Sequence, residues 1–185
     1  MVRAIHHGER TPAAAHALKY PPSCLSSFRI EPLPRGSNDP DVAVTFAVKC
    51  ASCNSSEFRI FSFPLIVPDP SPYFAVGPGE VLFRPPHRLE CAFCRAGGVV
   101  FDARTQGYDG VLNGGCAAES GSGDDTAVPG TFEVNVALFY NIELDELEDL
   151  ATEVKVAPSD LFDWISIRGT STSGREVFEV GYECA

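Results

Sequence analysis

Apolar and polar residues alternate in several short stretches of the chain, and this period of two predicts β-strands. The clearest stretches, 42–48 and 58–63, are rich in β-branched and aromatic residues. A shorter alternation covers 25–33, and compact apolar groups occupy 81–83 and 99–101. Turn-forming proline, glycine and asparagine separate these stretches, so the first half of the chain reads as short strands in a sheet.

The pattern changes in the last third of the chain. Residues 132–140 alternate at first and then become continuously apolar, as expected of a central strand. Helical spacing follows, with Leu144, Leu147, Leu150 and Val154 set among carboxylates and Pro158 ending the element. A closing hairpin is predicted from 165–167 to 177–180. The predicted fold is therefore mainly β (α+β): an antiparallel sheet plus a C-terminal strand–helix–hairpin part.

Two C-x-x-C pairs are the strongest chemical signal in the sequence. Cys50 and Cys53 lie between two predicted strands, and Cys91 and Cys94 lie between two others. Each pair can offer two thiolates from one tight turn, and two such turns complete a tetrahedral Zn²⁺ site. The sequence predicts two hairpins, each with a cysteine knuckle at its tip, clamped by one structural zinc. Four thiolates leave no open position for water, so a hydrolytic zinc is disfavoured.

His87 lies four residues before Cys91 and is an alternative metal ligand. We assign it instead to the protein surface or to the surroundings of the metal. His6 and His7 lie near the start of the chain, where a histidine pair is usually an adventitious metal binder.

Over about residues 42–104, the two cysteine pairs resemble the zinc-ribbon class. More loosely they resemble the β-tent proteins, which include methionine sulfoxide reductase B and the yippee proteins. Those proteins also place two C-x-x-C knuckles on hairpins a few tens of residues apart; here the separation is 37 residues. The resemblance implies a metal role for the four cysteines. It implies no catalytic residue, because the second pair is followed by Arg95-Ala96-Gly97-Gly98 and the reductase's nucleophilic cysteine strand is missing.

The domain organisation is predicted from composition. Residues 1–23 form an N-terminal arm, 24–116 a zinc-binding β domain, 117–130 a flexible acidic linker, and 131–185 an α+β part packed on the same sheet. Within the second region, 64–86 contains seven prolines and is predicted to be a stiff extended surface loop. Its aromatic residues Tyr73 and Phe74 are expected to plug the core, with partner binding as the alternative.

The negative net charge of the chain disfavours nucleic acids as binding partners. The net charge is −11, and residues 105–185 carry three basic and sixteen acidic residues. An acidic protein repels phosphate backbones, so nucleic-acid binding is disfavoured. The arginines near the second knuckle are expected to offset the charge of the metal centre and of neighbouring carboxylates; they are Arg84, Arg88, Arg95 and Arg104.

Location is predicted from the same sequence. No apolar run approaches the ~20 residues that span a bilayer, and residues 1–10 lack the apolar core of a signal peptide. Together with reduced, metal-binding cysteines, this predicts a cytoplasmic protein without membrane contact.

Three functions fit the sequence. The first is a zinc-stabilised, non-enzymatic module that binds a protein or a small molecule. The second is a thiol or redox enzyme using Cys116, with Cys24 or Cys184 as partner, although the acidic setting of Cys116 disfavours a reactive thiolate. The third is a nucleic-acid-associated zinc ribbon. If the chain were a hydrolase, Asp102, Tyr108 and Asp109 would be the first candidates for catalytic residues. These residues are more simply explained as ordinary turn-forming residues. A homodimer through an edge strand is compatible with the predicted sheet.

Overall fold

The structure is a computed structural model that describes residues 19, 21–34, 43–66, 81–102, 111–112, 116–117, 125–140, 144–173 and 177–184. Its strands are β1 (Phe28–Pro32), β2 (Ala43–Cys50), β3 (Glu57–Ile66), β4 (Val81–Cys91), β5 (Gly97–Phe101), β6 (Val111–Leu112), β7 (Cys116–Ala117), β8 (Thr126–Ala127), β9 (Phe132–Phe139), β10 (Trp164–Ser171) and β11 (Val177–Glu183). One α-helix in these ranges, α1, covers Leu144–Val154, and two single 3-10 turns cover Ser23–Leu25 and Pro158–Asp160. The prediction of a β-rich chain with one C-terminal helix is confirmed.

Nine of the strands form one antiparallel sheet with β9 at its centre. One edge of β9 pairs with β10, which pairs in turn with β11. The other edge is shared, because its C-terminal half pairs with β2 and its N-terminal end with β3. Beyond these neighbours, β1 pairs with β2, β4 with β3 and β5 with β4. Strands from 131–185 thus belong to the same sheet as the strands that carry the cysteines.

The sheet curls around a single apolar interior. Along β2 and β9 every second residue is buried, which is the period expected of strands with one face in the core. Opposite sides of the curl come into close contact: a Cβ added to Gly169 on β10 would lie 2.8 Å from Ile60 Cδ1 on β3. A side chain at position 169 would therefore require the side chains of Ile60 and Phe132 to shift.

The proline-rich segment is partly strand, and the prediction of a loop over the whole of 64–86 was wrong at both ends. β3 continues to Ile66, and β4 begins at Val81 and runs through Pro85 and Pro86. The β3–β4 ladder shifts register here, since Phe61 pairs with Arg88 whereas Phe63 pairs with Arg84. Residues 85–87 form a bulge, where prolines need not donate ladder hydrogen bonds. Residues 67–80, with Tyr73 and Phe74, lie outside the described residues.

The segment predicted as an acidic linker is described from residue 125 onward, and that part is bonded to the sheet. Thr126 and Ala127 pair with β3, and the N–H of Val128 donates to the carbonyl of Ile60. Most of the predicted N-terminal arm, including His6 and His7, lies outside the described residues. Among the described residues, no helix has both the length and the apolar character needed to cross a membrane.

Candidate metal centre

The two C-x-x-C segments fold into turns of the same backbone design. In each turn, the first cysteine donates its N–H to the carbonyl five residues later, and its own carbonyl accepts the N–H four residues later. These bonds are Cys50 N–Ser55 O (2.8 Å), Cys91 N–Ala96 O (2.8 Å), Asn54 N–Cys50 O (2.9 Å) and Arg95 N–Cys91 O (3.2 Å). The residue after each second cysteine has a positive φ, 62° at Asn54 and 65° at Arg95. Two equivalent turns therefore recur 41 positions apart, as Cys50 and Cys91 mark.

The fold brings the two turns together. The four cysteine Sγ atoms all lie within 4.8 Å of one another, with 3.5 Å between Cys50 and Cys94 and 3.4 Å between Cys53 and Cys91. In a tetrahedral site with Zn–S of about 2.3 Å, the sulfurs are separated by roughly 3.8 Å. Within the described part of the chain, these four cysteines are the one set of three or more potential metal ligands that lie close enough together to hold an ion.

An aromatic pair supports the base of the cluster. Phe28 on β1 lies opposite Cys50 in the ladder, and Phe58 on β3 lies opposite Cys91. The two rings meet edge to face, with centroids 5.9 Å apart. Each turn is thus anchored to the core through a ring next to its first cysteine, and the two anchors contact each other.

The second turn is followed by a close approach to β4. A Cβ added to Gly97 would collide with the carbonyl oxygen of Leu89 on β4. The chain therefore needs glycine where it leaves the Cys91–Cys94 turn and pairs with β4. This turn lies at the tip of the β4–β5 hairpin. The prediction of a hairpin at the first knuckle was wrong: in the described residues β2 and β3 pair with other strands, so this knuckle connects two strands that both border β9.

The electrostatics of the sulfurs divide them into two kinds. Burial opposes ionisation of Cys91, yet the backbone N–H groups of Cys94 and Phe93, together with neighbouring thiols, lower its pKa to about 6. Burial is likewise outweighed at Cys50, where the N–H groups of Cys53 and Ser52 help to lower the pKa. At Cys53 the N–H of Ser55 favours the thiolate, but contact with Cys91 and the other sulfurs raises the pKa to about 12.

These four residues fit a divalent, thiophilic metal ion. Four sulfurs this close cannot all be anionic without a cation between them, and their pKa values separate accordingly. Backbone N–H groups directed at the sulfurs are the outer contacts that orient thiolate ligands in metal sites. Four thiolates could hold an ion in tetrahedral geometry and would leave no ligand position open.

The arginines near the cluster are engaged with carboxylates. Arg88 contacts Asp125 at 2.9 Å and lies over the Phe61 ring, while Arg95 contacts Glu90 at 2.8 Å. The predicted pairing of these two arginines with neighbouring carboxylates is confirmed. Arg104 lies outside the described residues.

His87 does not lie where it was predicted. Its side chain is completely buried, with Ser62 and Tyr182 as hydrogen-bond partners, so the assignment to the surface or to the surroundings of the metal was wrong. Its position had a sequence signal: His87 shares the period of two with Leu89 and Cys91, which are both buried. What no local pattern shows is that β11 supplies its second partner.

The residues predicted as candidates for a thiol enzyme or a hydrolase either lie apart from the cysteine cluster or lie outside the described residues. Cys24 and Cys184 are buried in the core, and burial, followed by the charge of Asp160, raises the pKa of Cys24 to about 12. Asp102 is half-buried just after β5. Tyr108, Asp109 and the side chain of Cys116 lie outside the described residues.

Comparison with known proteins adds no relative to this description. No family model matches the chain, and neither the curated proteins nor the solved structures contain a match. The four clustered cysteines are compatible with a zinc-knuckle site, and these comparisons do not confirm the predicted resemblance to zinc ribbons.

Proposed function

We propose that the chain is a zinc-stabilised, non-enzymatic binding module in which Cys50, Cys53, Cys91 and Cys94 hold one structural Zn²⁺. The observation that carries the proposal is the convergence of four sulfurs within 4.8 Å at two equivalent turns. A closed four-thiolate shell keeps water and substrate away from the metal, so the ion fixes the fold and does no chemistry. It would join the β2–β3 connection to the β4–β5 hairpin, two parts that are distant in sequence.

Cobalt titration tests the ligand assignment. Co²⁺ added to metal-free protein should give the spectrum of tetrahedral four-sulfur coordination and saturate at one ion per chain. Cys94→Ser should change that spectrum to three-sulfur coordination, whereas the matched variant Cys24→Ser should leave it unchanged. Octahedral cobalt, or an unchanged spectrum in Cys94→Ser, would refute the site.

The thiol-enzyme alternative is weakened by the setting of two of its three thiols. Cys24 and Cys184 are buried, and a thiol with its pKa raised to about 12 is rarely ionised near neutral pH. Iodoacetamide labelling of zinc-loaded protein distinguishes the two functions. The binding module predicts no fast-reacting thiol near pH 7, while rapid labelling of Cys116 would favour the enzyme.

A nucleic-acid-binding ribbon is the third possibility, and the paired arginines argue against it. Arg88 and Arg95 each contact a carboxylate, and the chain as a whole is acidic. We expect no binding to DNA or RNA even at low salt, where electrostatic attraction is greatest. Measurable binding under those conditions would revive the ribbon hypothesis.

The partner of the module is a protein or a small molecule in this proposal, and self-association through an edge strand is included. Sedimentation of the zinc-loaded chain over a range of concentrations tests self-association. A dimer would direct attention to the edge strands β1 and β5, which end the main path of the sheet.

A further inference from the structure

A second polar cluster lies inside the sheet and has no part in the metal site. The imidazole of His87 on β4 has Nδ1 2.9 Å from Ser62 Oγ on β3, and Nε2 forms a hydrogen bond with the hydroxyl of Tyr182 on β11. Each hydroxyl also lies within hydrogen-bond distance of a backbone carbonyl of β4. Ser62 reaches the carbonyl of Arg84 at 3.0 Å, and Tyr182 reaches that of Phe83 at 2.9 Å. One ring thus bridges three strands.

This cluster lies where the curled sheet meets itself. In the described residues, β11 has its ladder with β10, on the far side of β9 from β4. Its contacts with the β4–β5 side come from side chains: Tyr182 stacks on Phe101 at 4.8 Å, and Phe178 packs against Phe83 at 5.2 Å. The bonds of Tyr182 to His87 and Phe83 are the polar part of this closure. They fasten the C-terminal hairpin, β10–β11, across the interior.

Counting protons shows that the neutral network has one proton fewer than it has contacts. It has four contacts: two at the ring nitrogens and two at the carbonyls of Phe83 and Arg84. A neutral imidazole supplies one N–H and the two hydroxyls supply one O–H each, so three protons serve four contacts. An imidazolium would supply the fourth. It would also place a full charge in a buried site where no described carboxylate is bonded to the ring, and this costs more than one hydrogen bond contributes.

The groups around the ring favour the neutral form. Ser62 faces it from β3 and Tyr182 from β11, and the Phe178 ring meets it edge to face. On the β5 side, half-buried Asp102 follows Phe101, the ladder partner of His87. Among the described residues no hydrogen bond or ion pair joins a carboxylate to the ring. On β4, Arg84 and Arg88 are the nearest charged residues in sequence, and Arg88 directs its guanidinium over the Phe61 ring. Burial alone lowers the pKa of His87 to about 3.

We propose that His87, Ser62 and Tyr182 form an acid-sensitive latch, which holds the C-terminal hairpin against β4 while the imidazole is neutral and whose opening is coupled to the uptake of one proton. The latch is independent of the metal site, with which it shares no residue.

The direction of the pH effect follows from the two states of the ring. Once the hairpin opens, His87 meets water and regains a pKa of about 6.5. The closed form does not take up the proton until the pH approaches 3. Between these limits, the ratio of closed to open molecules falls about tenfold for each pH unit, reaching about thirtyfold at pH 5 relative to neutral pH. Above about pH 6.5 this group contributes no pH dependence.

Hydrogen exchange on the full zinc-loaded chain tests the latch. Protection of the β11 amides, corrected for the intrinsic rate at each pH, is compared between wild type and His87→Gln, whose amide can bond both hydroxyls without titrating. From pH 7 to pH 5, wild-type protection should fall about thirtyfold more than that of the variant. An equal fall in both proteins would overturn the proposal. Zinc content measured in each sample separates latch opening from metal loss.

The wild-type protein provides a second test in case His87→Gln does not fold. The ¹⁵N shifts of the imidazole should keep a neutral pattern down to pH 5 in the folded protein. A ring that titrates near pH 6.5 while Tyr182 stays in place would contradict the latch.

Discussion

The four-cysteine cluster and the His87 latch are two polar clusters that both draw on strand β4, and they are built in opposite ways. The cysteine cluster lies at the end of the sheet, with Cys53 and Cys94 exposed, and most of its design is local: two short turns with the same hydrogen bonds. The latch lies in the interior, and its three side chains come from β3, β4 and β11. We propose that a bound cation balances the negative charge of the four thiolates, whereas the latch is stable because the imidazole of His87 is neutral.

A single strand, β4, contributes a residue to each cluster. β4 carries His87 and Cys91 on its buried face, two pleats apart. Just before its proline bulge, the carbonyls of Arg84 and Phe83 lie within hydrogen-bond distance of the hydroxyls of Ser62 and Tyr182. The variants below break one cluster while leaving the other intact, in order of decreasing expected effect.

Replacing a buried ligand should have the largest effect. Cys91→Ser should abolish stoichiometric zinc binding and unfold the chain at 25 °C, because structural zinc contributes about 10–16 kcal/mol in small zinc domains and whole domains are stable by only about 5–15 kcal/mol. Elemental analysis and circular dichroism measure both results. Cys24→Ala, which removes a buried sulfur outside the cluster, should keep one metal per chain. A folded, zinc-loaded Cys91→Ser would contradict the site.

The aromatic base of the cluster comes next. Phe58→Ala should lower the free energy of unfolding by about 3–5 kcal/mol, because it leaves a cavity in a fully buried position beside Cys91. Phe93→Ala is the matched control, since this ring lies between the ligands of the second turn but is 69% exposed. It should change stability by less than about 0.5 kcal/mol. Denaturant unfolding of zinc-loaded protein compares them, and equal effects would refute the supporting role of Phe58.

Removing one hydroxyl from the latch should have an intermediate effect. Tyr182→Phe leaves His87 Nε2 and the carbonyl of Phe83 without this partner, which should cost about 1–3 kcal/mol. Zinc content should stay at one per chain. Tyr140→Phe removes a buried hydroxyl that makes one bond, to the carbonyl of Ser159, and should cost less. Loss of zinc in Tyr182→Phe would show that the two clusters are not independent.

The smallest effect is expected from making the two turns more alike. Arg95→Asn places in the second turn the residue that the first turn has at position 54, and asparagine tolerates the positive φ observed there. The variant loses the exposed ion pair with Glu90, worth about 0.2–1 kcal/mol. Unfolding experiments should therefore show a loss below about 1 kcal/mol with unchanged metal content. A loss of metal would mean that the turns are not equivalent.

The sequence was most informative where structure is local. Two C-x-x-C pairs are visible as spacing, and the alternation at 42–48, 58–63 and 132–140 follows from one buried sheet face. It was least informative where contacts join distant strands. The extension of β4 through Pro85 and Pro86 depends on a bulge opposite Ser62, and the burial of His87 depends on Tyr182, 95 residues away. The anchoring of residues 126–127 likewise depends on their long-range pairing with β3.

Metal content and its effect on stability test the central claim most directly. Untagged protein should contain one zinc per chain by elemental analysis, and a chelator should lower its melting temperature by tens of degrees or abolish the folded state. Protein that purifies without metal, or that melts at the same temperature with and without chelator, would contradict a structural zinc clamp and return the four cysteines to consideration as redox groups.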